Sequence, residues 1–93
     1  MADTEREPQY KRSVAVTATM LDDELLCVNL DTGTYIGMKE VGQAVWRQLE
    51  VPSTFDEILR LVVSEYDVDE GRARADLETF MAEMVKAGLA ELT

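Results

Sequence analysis

Apolar and polar residues alternate along the first third of the chain, and the spacing turns helical near Lys39. Val14, Val16, Ala18 and Met20 share one face of the first run, with Ser13, Thr17 and Thr19 on the other. A period of two with β-branched residues predicts a half-buried strand. Asp22-Asp23 supplies turn chemistry, and a second strand over Glu24 to Leu30 puts Leu26, Val28 and Leu30 on its core face. Asp31-Thr32-Gly33 then predicts a three-residue hairpin loop, with Gly33 in the left-handed conformation. That loop pairs Leu30 with Thr34, so Ile36 and Met38 join Leu26 and Val28 in the core and Tyr35 faces out. A two-residue loop would reverse this register and bury Tyr35.

From Lys39 onward Val41, Val45 and Leu49 recur at i, i+4 and i+8, with Ala44 and Trp46 beside them, until Pro52 closes the segment. Thr54 and Glu57 form a capping box ahead of the stripe Phe55, Ile58, Leu59 and Val62, which predicts a helix to about Tyr66. Asp69 is placed to cap a third helix carrying Ala73, Leu77, Phe80, Met81, Met84 and Val85. Gly88 ends that helix, and Leu89 is expected to fold back on Met84. The order is three strands followed by three helices, an α+β chain. Residues 1–12 are polar and lack periodicity, so they are expected to be a flexible tail ahead of a single domain at 13–93.

Charge changes the range of partners. With 19 acidic and 9 basic residues the net charge is −10, a sign that repels phosphate backbones, so no nucleic-acid partner is expected. No run of apolar residues is long enough to cross a bilayer, so no membrane association is expected. The single cysteine, Cys27, cannot form an internal disulfide and sits in a strand-like run, where a free thiol behaves as a small hydrophobe. A cytoplasmic location follows from that cysteine usage and from the absence of a signal-like N-terminus.

Catalytic chemistry is sparse. There is no histidine, which removes the commonest general base and the commonest metal ligand together. Ser13, Ser53 and Ser64 fall at a strand start, near a helix cap and inside a helix. None has the Asp-Ser-Leu context of an acyl-carrier attachment site. Asp67, Asp69 and Glu70 lack the glycine and terminal glutamate of a calcium loop, and acids are favoured at a helix start in any case. The five glycines are too scattered for a phosphate loop. Met38, Met81 and Met84 lie on apolar stripes and read as core, as does Trp46. No enzyme activity and no cofactor are expected. What remains is the strand Thr34 to Met38, a short edge without the Lys or Pro that commonly guards one, beside a third helix bearing Leu77 and Phe80. An extended peptide laid along such an edge gains backbone hydrogen bonds and side-chain pockets.

The order of short motifs carries a resemblance. Asp31-x-Gly33-x-Tyr35, Val45-Trp46-x-x-Leu49, Thr54-x-x-Glu57-Ile58, Tyr66-Asp67-Val68, Asp76-Leu77-x-x-Phe80 and Gly88-Leu89 together resemble the PqqD family of recognition elements for ribosomally made, modified peptides. The similarity covers about Val14 to Leu92. It implies a winged-helix-like fold that captures the leader region of a precursor peptide as an added antiparallel strand. By position, Thr34, Tyr35, Ile36 and Gly37 would pair with the leader backbone. Ala73, Asp76, Leu77 and Phe80 would face its side chains, with Arg72 and Arg74 as polar contacts. The implied role is a monomeric, stand-alone leader-binding subunit of a lasso-peptide system that serves a partner leader peptidase or other modifying enzyme. The alternatives are a PqqD-type chaperone for a radical enzyme and a winged-helix DNA-binding protein.

Overall fold

The computed structural model describes residues 7–93. In chain order the elements are β1 (Gln9–Arg12), β2 (Val16–Leu21), β3 (Glu24–Asn29), β4 (Tyr35–Met38), α1 (Glu40–Gln48), β5 (Ser53–Thr54), α2 (Phe55–Glu65), α3 (Glu70–Lys86) and β6 (Ala90–Leu92). They make two antiparallel three-stranded sheets, β2-β3-β4 and β5-β1-β6. Three helices lie with them, and the α+β, winged-helix-like expectation holds, with the β5-β1-β6 sheet present beyond the single three-stranded sheet expected. The core joins β3 and β4 to all three helices through Cys27, Met38, Val45, Leu49, Ile58, Leu77, Met81 and Met84.

The helix ends follow local chemistry. Thr54 Oγ1 accepts from the Glu57 N–H while Glu57 Oε1 accepts from the Thr54 N–H, a complete capping box. Asp69 accepts from the Arg72 N–H at the start of α3. At its end Gly88 adopts φ +76°, and the Gly88 and Leu89 N–H groups donate to the Val85 and Met84 carbonyls. That is a Schellman ending, with Leu89 and Met84 both buried. Trp46, Met38, Met81 and Met84 are core residues, as their spacing indicated.

Three expectations are corrected. The segment 1–12 is not a free tail throughout, because Gln9–Arg12 is a strand between β5 and β6 (Met1 to Arg6 lie outside the described residues). Arg12 fastens it: Nε and Nη2 donate to the Trp46 carbonyl at 3.1 and 2.6 Å, and the guanidinium lies 4.6 Å from the Trp46 ring centroid. The first alternating run is not half-buried either. Val14 is 97% exposed, and β2 stands clear of the core beyond Val16.

The third correction is the hairpin. Val28 pairs with Tyr35 and Cys27 with Ile36, so Asn29 rather than Leu30 faces Thr34 and the loop has four residues, not three. The inward side chains of β3 are Leu25, Cys27 and Asn29; Leu30 is exposed, and Leu26 and Val28 lie on the outer face. On β4 the expectation stands, with Ile36 and Met38 inward and Tyr35 outward. Gly33 takes φ +79°, as its place in the loop requires. Asn29 explains the shift. Its Oδ1 accepts from the Asp31 and Thr32 N–H groups at 2.8 and 3.1 Å, and its Nδ2 donates to the Gly88 carbonyl at 2.7 Å. A buried carboxamide so fully paired fixes both the turn and the inward face.

Replacing Asn29 by Ala leaves the Gly88 carbonyl and two loop N–H groups without their partner, and is expected to cost about 2 kcal/mol in urea unfolding. Cys27 supplies a second expectation. Burial pushes its thiol from 9.0 up to about 11, partly opposed by the Arg12 charge. Between those values the unfolded chain ionises and the folded chain does not, so this contribution to stability is intact below pH 9 and is lost as pH rises towards 11. Unfolding curves of the parent and Cys27→Ala should therefore fall less steeply with pH in the variant over that window. Parallel slopes would contradict the assignment.

Candidate functional site

β4 is an edge strand, paired with β3 on one side only. The hydrogen-bonding phase of the sheet decides which of its peptide groups are free. The Leu30 N–H donates to Ala15 and the Asn29 N–H to Thr34, so odd positions of β3 face β4. By antiparallel alternation, the Thr34 carbonyl and the peptide groups of Ile36 and Met38 turn to β3, and Tyr35 and Gly37 turn theirs to the open side. The edge thus offers two consecutive bonding positions with no residue of the described chain paired along it.

Beside the edge lies an apolar depression. Gly37, Met38, Val41, Gly42 and Phe80 border its near end, between β4, the start of α1 and α3. Past Gly42 and Phe80 it deepens into a groove of about 370 Å³. The walls there are Val41, Gly42 and Val45 from α1, Val62 from α2, Val68 from the α2–α3 link, and Arg72, Ala73, Asp76, Leu77 and Phe80 from α3. Gly42 sets the closeness of the walls, since a Cβ there would lie 3.0 Å from Met38 Cβ and 3.5 Å from Phe80 Cζ. Gln43 Nε2 donates to the Asp23 and Met38 carbonyls at 2.9 and 3.0 Å, holding the near end of β4 to α1. Tyr66 Oη donates to the Glu40 carbonyl at 3.1 Å and ties the end of α2 to the same place.

The residues picked from sequence divide. Arg72, Ala73, Asp76, Leu77 and Phe80 come together on one groove, and Gly37 borders its mouth. Tyr35 lies on the open edge with its ring on the outer face, 68% exposed. Ile36 packs against the core, so its side chain is not at the surface of the groove. Thr34 precedes the strand: its carbonyl accepts from Asn29, and its hydroxyl donates to the Ala87 carbonyl, so it anchors the edge to the end of α3. Arg74 does not reach the groove; its guanidinium lies 5.8 Å from the Phe55 ring centroid and 3.9 Å from Glu70. Arg72 and Asp76 form an exposed i,i+4 pair at 3.8 Å, a screened interaction that leaves both available at the rim.

Sequence reasoning missed the contribution of α1 and of Val68. Val41 shares the i, i+4, i+8 spacing of Val45 and Leu49, yet it is 41% exposed while those two are buried. The stripe runs out of the core at its N-terminal end and becomes the groove wall. Val68, an exposed valine in an acidic link, was the other available signal.

The serines are occupied structurally. Ser13 Oγ accepts from the Ala15 N–H, Ser53 Oγ bonds Val51 and Gln48, and Ser64 Oγ donates to the Leu61 carbonyl. Among the described residues no three His, Cys, Asp or Glu side chains group as a metal site, and no helix is long and apolar enough to cross a membrane. The arrangement can hold an extended chain: backbone pairing along β4, side chains into the apolar groove.

Comparison with known proteins gives matching results. The family model described as coenzyme PQQ synthesis protein D (PqqD) matches residues 24–90. No curated protein matches the chain. Among solved structures, TbiB1 in complex with the TbiA(beta) leader peptide is 36% identical, with a TM-score of 0.77 over 87% of this chain and 94% of that one. A lasso peptide synthetase B1 complexed with the leader peptide is 15% identical and shares the fold, with a TM-score of 0.74 over 88% and 96% of the two chains.

Proposed function

The chain belongs to the PqqD family, and we propose that it is a non-catalytic recognition protein for the leader region of a ribosomally made precursor peptide. The observation that carries this reading is the open edge of β4, with the Tyr35 and Gly37 peptide groups turned outward beside the apolar groove. An added antiparallel strand would bond at those two residues, and its alternate side chains would enter the groove among Val41, Val68, Leu77 and Phe80. Arg72 and Asp76 at the rim would meet polar groups of the leader. TbiB1, 36% identical, is solved with a leader peptide, and the lasso peptide synthetase B1 shares the fold; with these in support we place the chain in a lasso-peptide setting, in which the bound precursor is delivered to a partner leader peptidase or other modifying enzyme.

Two bonding positions and a few buried side chains suit a transient complex of about micromolar affinity, near −8 kcal/mol. The site acts by holding, which needs no cofactor, and the place of action is the cytoplasm, where a ribosomal precursor is made. The recognition unit comprises the domain expected at 13–93 together with β1, because that strand joins the start of α2 to the chain's end.

The probe is the synthetic leader of this chain's own precursor peptide, measured by titration calorimetry. Gly37→Pro removes an N–H aimed at the open side and leaves the β3–β4 ladder in place, so binding is expected to fall at least about tenfold. Phe80→Asp places a charge on the groove wall and should weaken binding by a similar factor. Circular dichroism establishes that each variant is folded. Undiminished binding by folded Gly37→Pro contradicts strand addition at β4.

A further inference from the structure

We propose that Glu24 selects a basic residue in the strand that adds to β4. This rests on the strand-addition reading above and goes beyond it by assigning charge to one position of the bound peptide. Gly37 lies opposite Leu26, and Glu24 is two residues from Leu26 on the same outer face of the sheet. With no side chain at position 37, the Glu24 side chain lies across the vacancy. A Cβ at Gly37 would sit 2.6 Å from Glu24 Oε2 and 2.8 Å from its Cδ.

The glycine is not explained by its backbone. Positive φ among glycines is confined to Gly33 and Gly88, so Gly37 holds an ordinary strand conformation that any residue adopts. Glycine in a strand weakens it, and its usual reasons are a bulge or a close approach by another group. Here the approaching group is the Glu24 carboxylate. That carboxylate is exposed and, among the described residues, has no cation within ion-pair distance. Among the described residues the ion pairs are Lys11–Glu91, Arg72–Asp76 and Arg74–Glu70.

An incoming antiparallel strand does meet the Glu24 carboxylate. The residue facing Gly37 would form a hydrogen-bonded pair with it, about 5.5 Å away between Cα atoms, with its side chain on the same outer face. A carboxylate lying at the Gly37 Cβ position is then within reach of a Lys or Arg side chain there and repels an Asp or Glu. An Arg would add paired N–H···O bonds to the charge.

The test is titration calorimetry with that same synthetic leader. Glu24→Gln keeps size and shape and is expected to weaken binding about 3- to 10-fold at low salt, and Glu24→Lys more. The difference should shrink at about 0.5 M salt. It should vanish for a leader in which the one Lys or Arg facing Gly37 is replaced by Gln. Gly37→Ala, which keeps the N–H but displaces the carboxylate, should lower the same preference. Equal binding by Glu24→Gln, or a bound leader segment without Lys or Arg, overturns the assignment. If Gly37→Pro weakens binding and Glu24→Gln does not, only the role of Glu24 is lost; if folded Gly37→Pro binds as the parent does, strand addition is lost and this role with it.

Discussion

The carboxamide of Asn29 sets the register of the β3–β4 hairpin and its place against the end of α3. Its oxygen shapes the β3–β4 loop through two backbone N–H groups, and its nitrogen reaches the Gly88 carbonyl at the end of α3. A side chain only 6% exposed that carries three hydrogen bonds cannot turn outward without leaving several groups unpaired. The hairpin register follows from it, and so does the face that β3 and β4 present to the core. Gly88 is part of the same arrangement, because a Cβ there would lie 2.8 Å from Asn29 Nδ2. The left-handed turn that ends α3 is thus also the space into which the carboxamide fits.

With one end of the hairpin held at α3, Gln43 holds the other at α1. β4 is suspended between two helix ends, and its open side is fixed relative to the walls of the groove. A strand edge alone is an aggregation hazard; one with its bonding phase and neighbouring pocket both set is a template. The second sheet works at a distance from this site. β1 brings the last strand and the start of α2 together, and Arg12 ties it to the Trp46 carbonyl on α1, the helix that supplies Val41 and Val45. Groove walls drawn from three helices keep their spacing because helix ends and chain ends are fastened to each other.

Much of this was legible where the chemistry is local. The capping box at Thr54, the Asp69 cap, the Gly88-Leu89 ending and the left-handed Gly33 each depend on residues within a turn or two, and each is found. Signals that depend on distant partners were not legible. Gln9 to Arg12 have no apolar alternation, and their pairing with β6 joins opposite ends of the chain. Asn29 reads as a polar residue at a strand end, and nothing nearby announces that its amide closes on α3. The site was half visible: Leu77 and Phe80 stood out as a helix face, and the resemblance to PqqD proteins gave that face a role. Val41 was hidden in a stripe whose other members are buried, and Arg74 was placed by sequence proximity on a face it does not occupy.

The central claim is that a leader peptide becomes a strand on β4, and amide hydrogen exchange by NMR reads it directly. In the free protein Ile36 and Met38 should already be protected by β3, while Tyr35 and Gly37 exchange fast, as their outward phase requires. Adding the leader should slow Tyr35 and Gly37 and leave Ile36 and Met38 little changed. If the leader binds while Tyr35 and Gly37 keep their free exchange rates, and protection appears elsewhere on the surface, the account is contradicted.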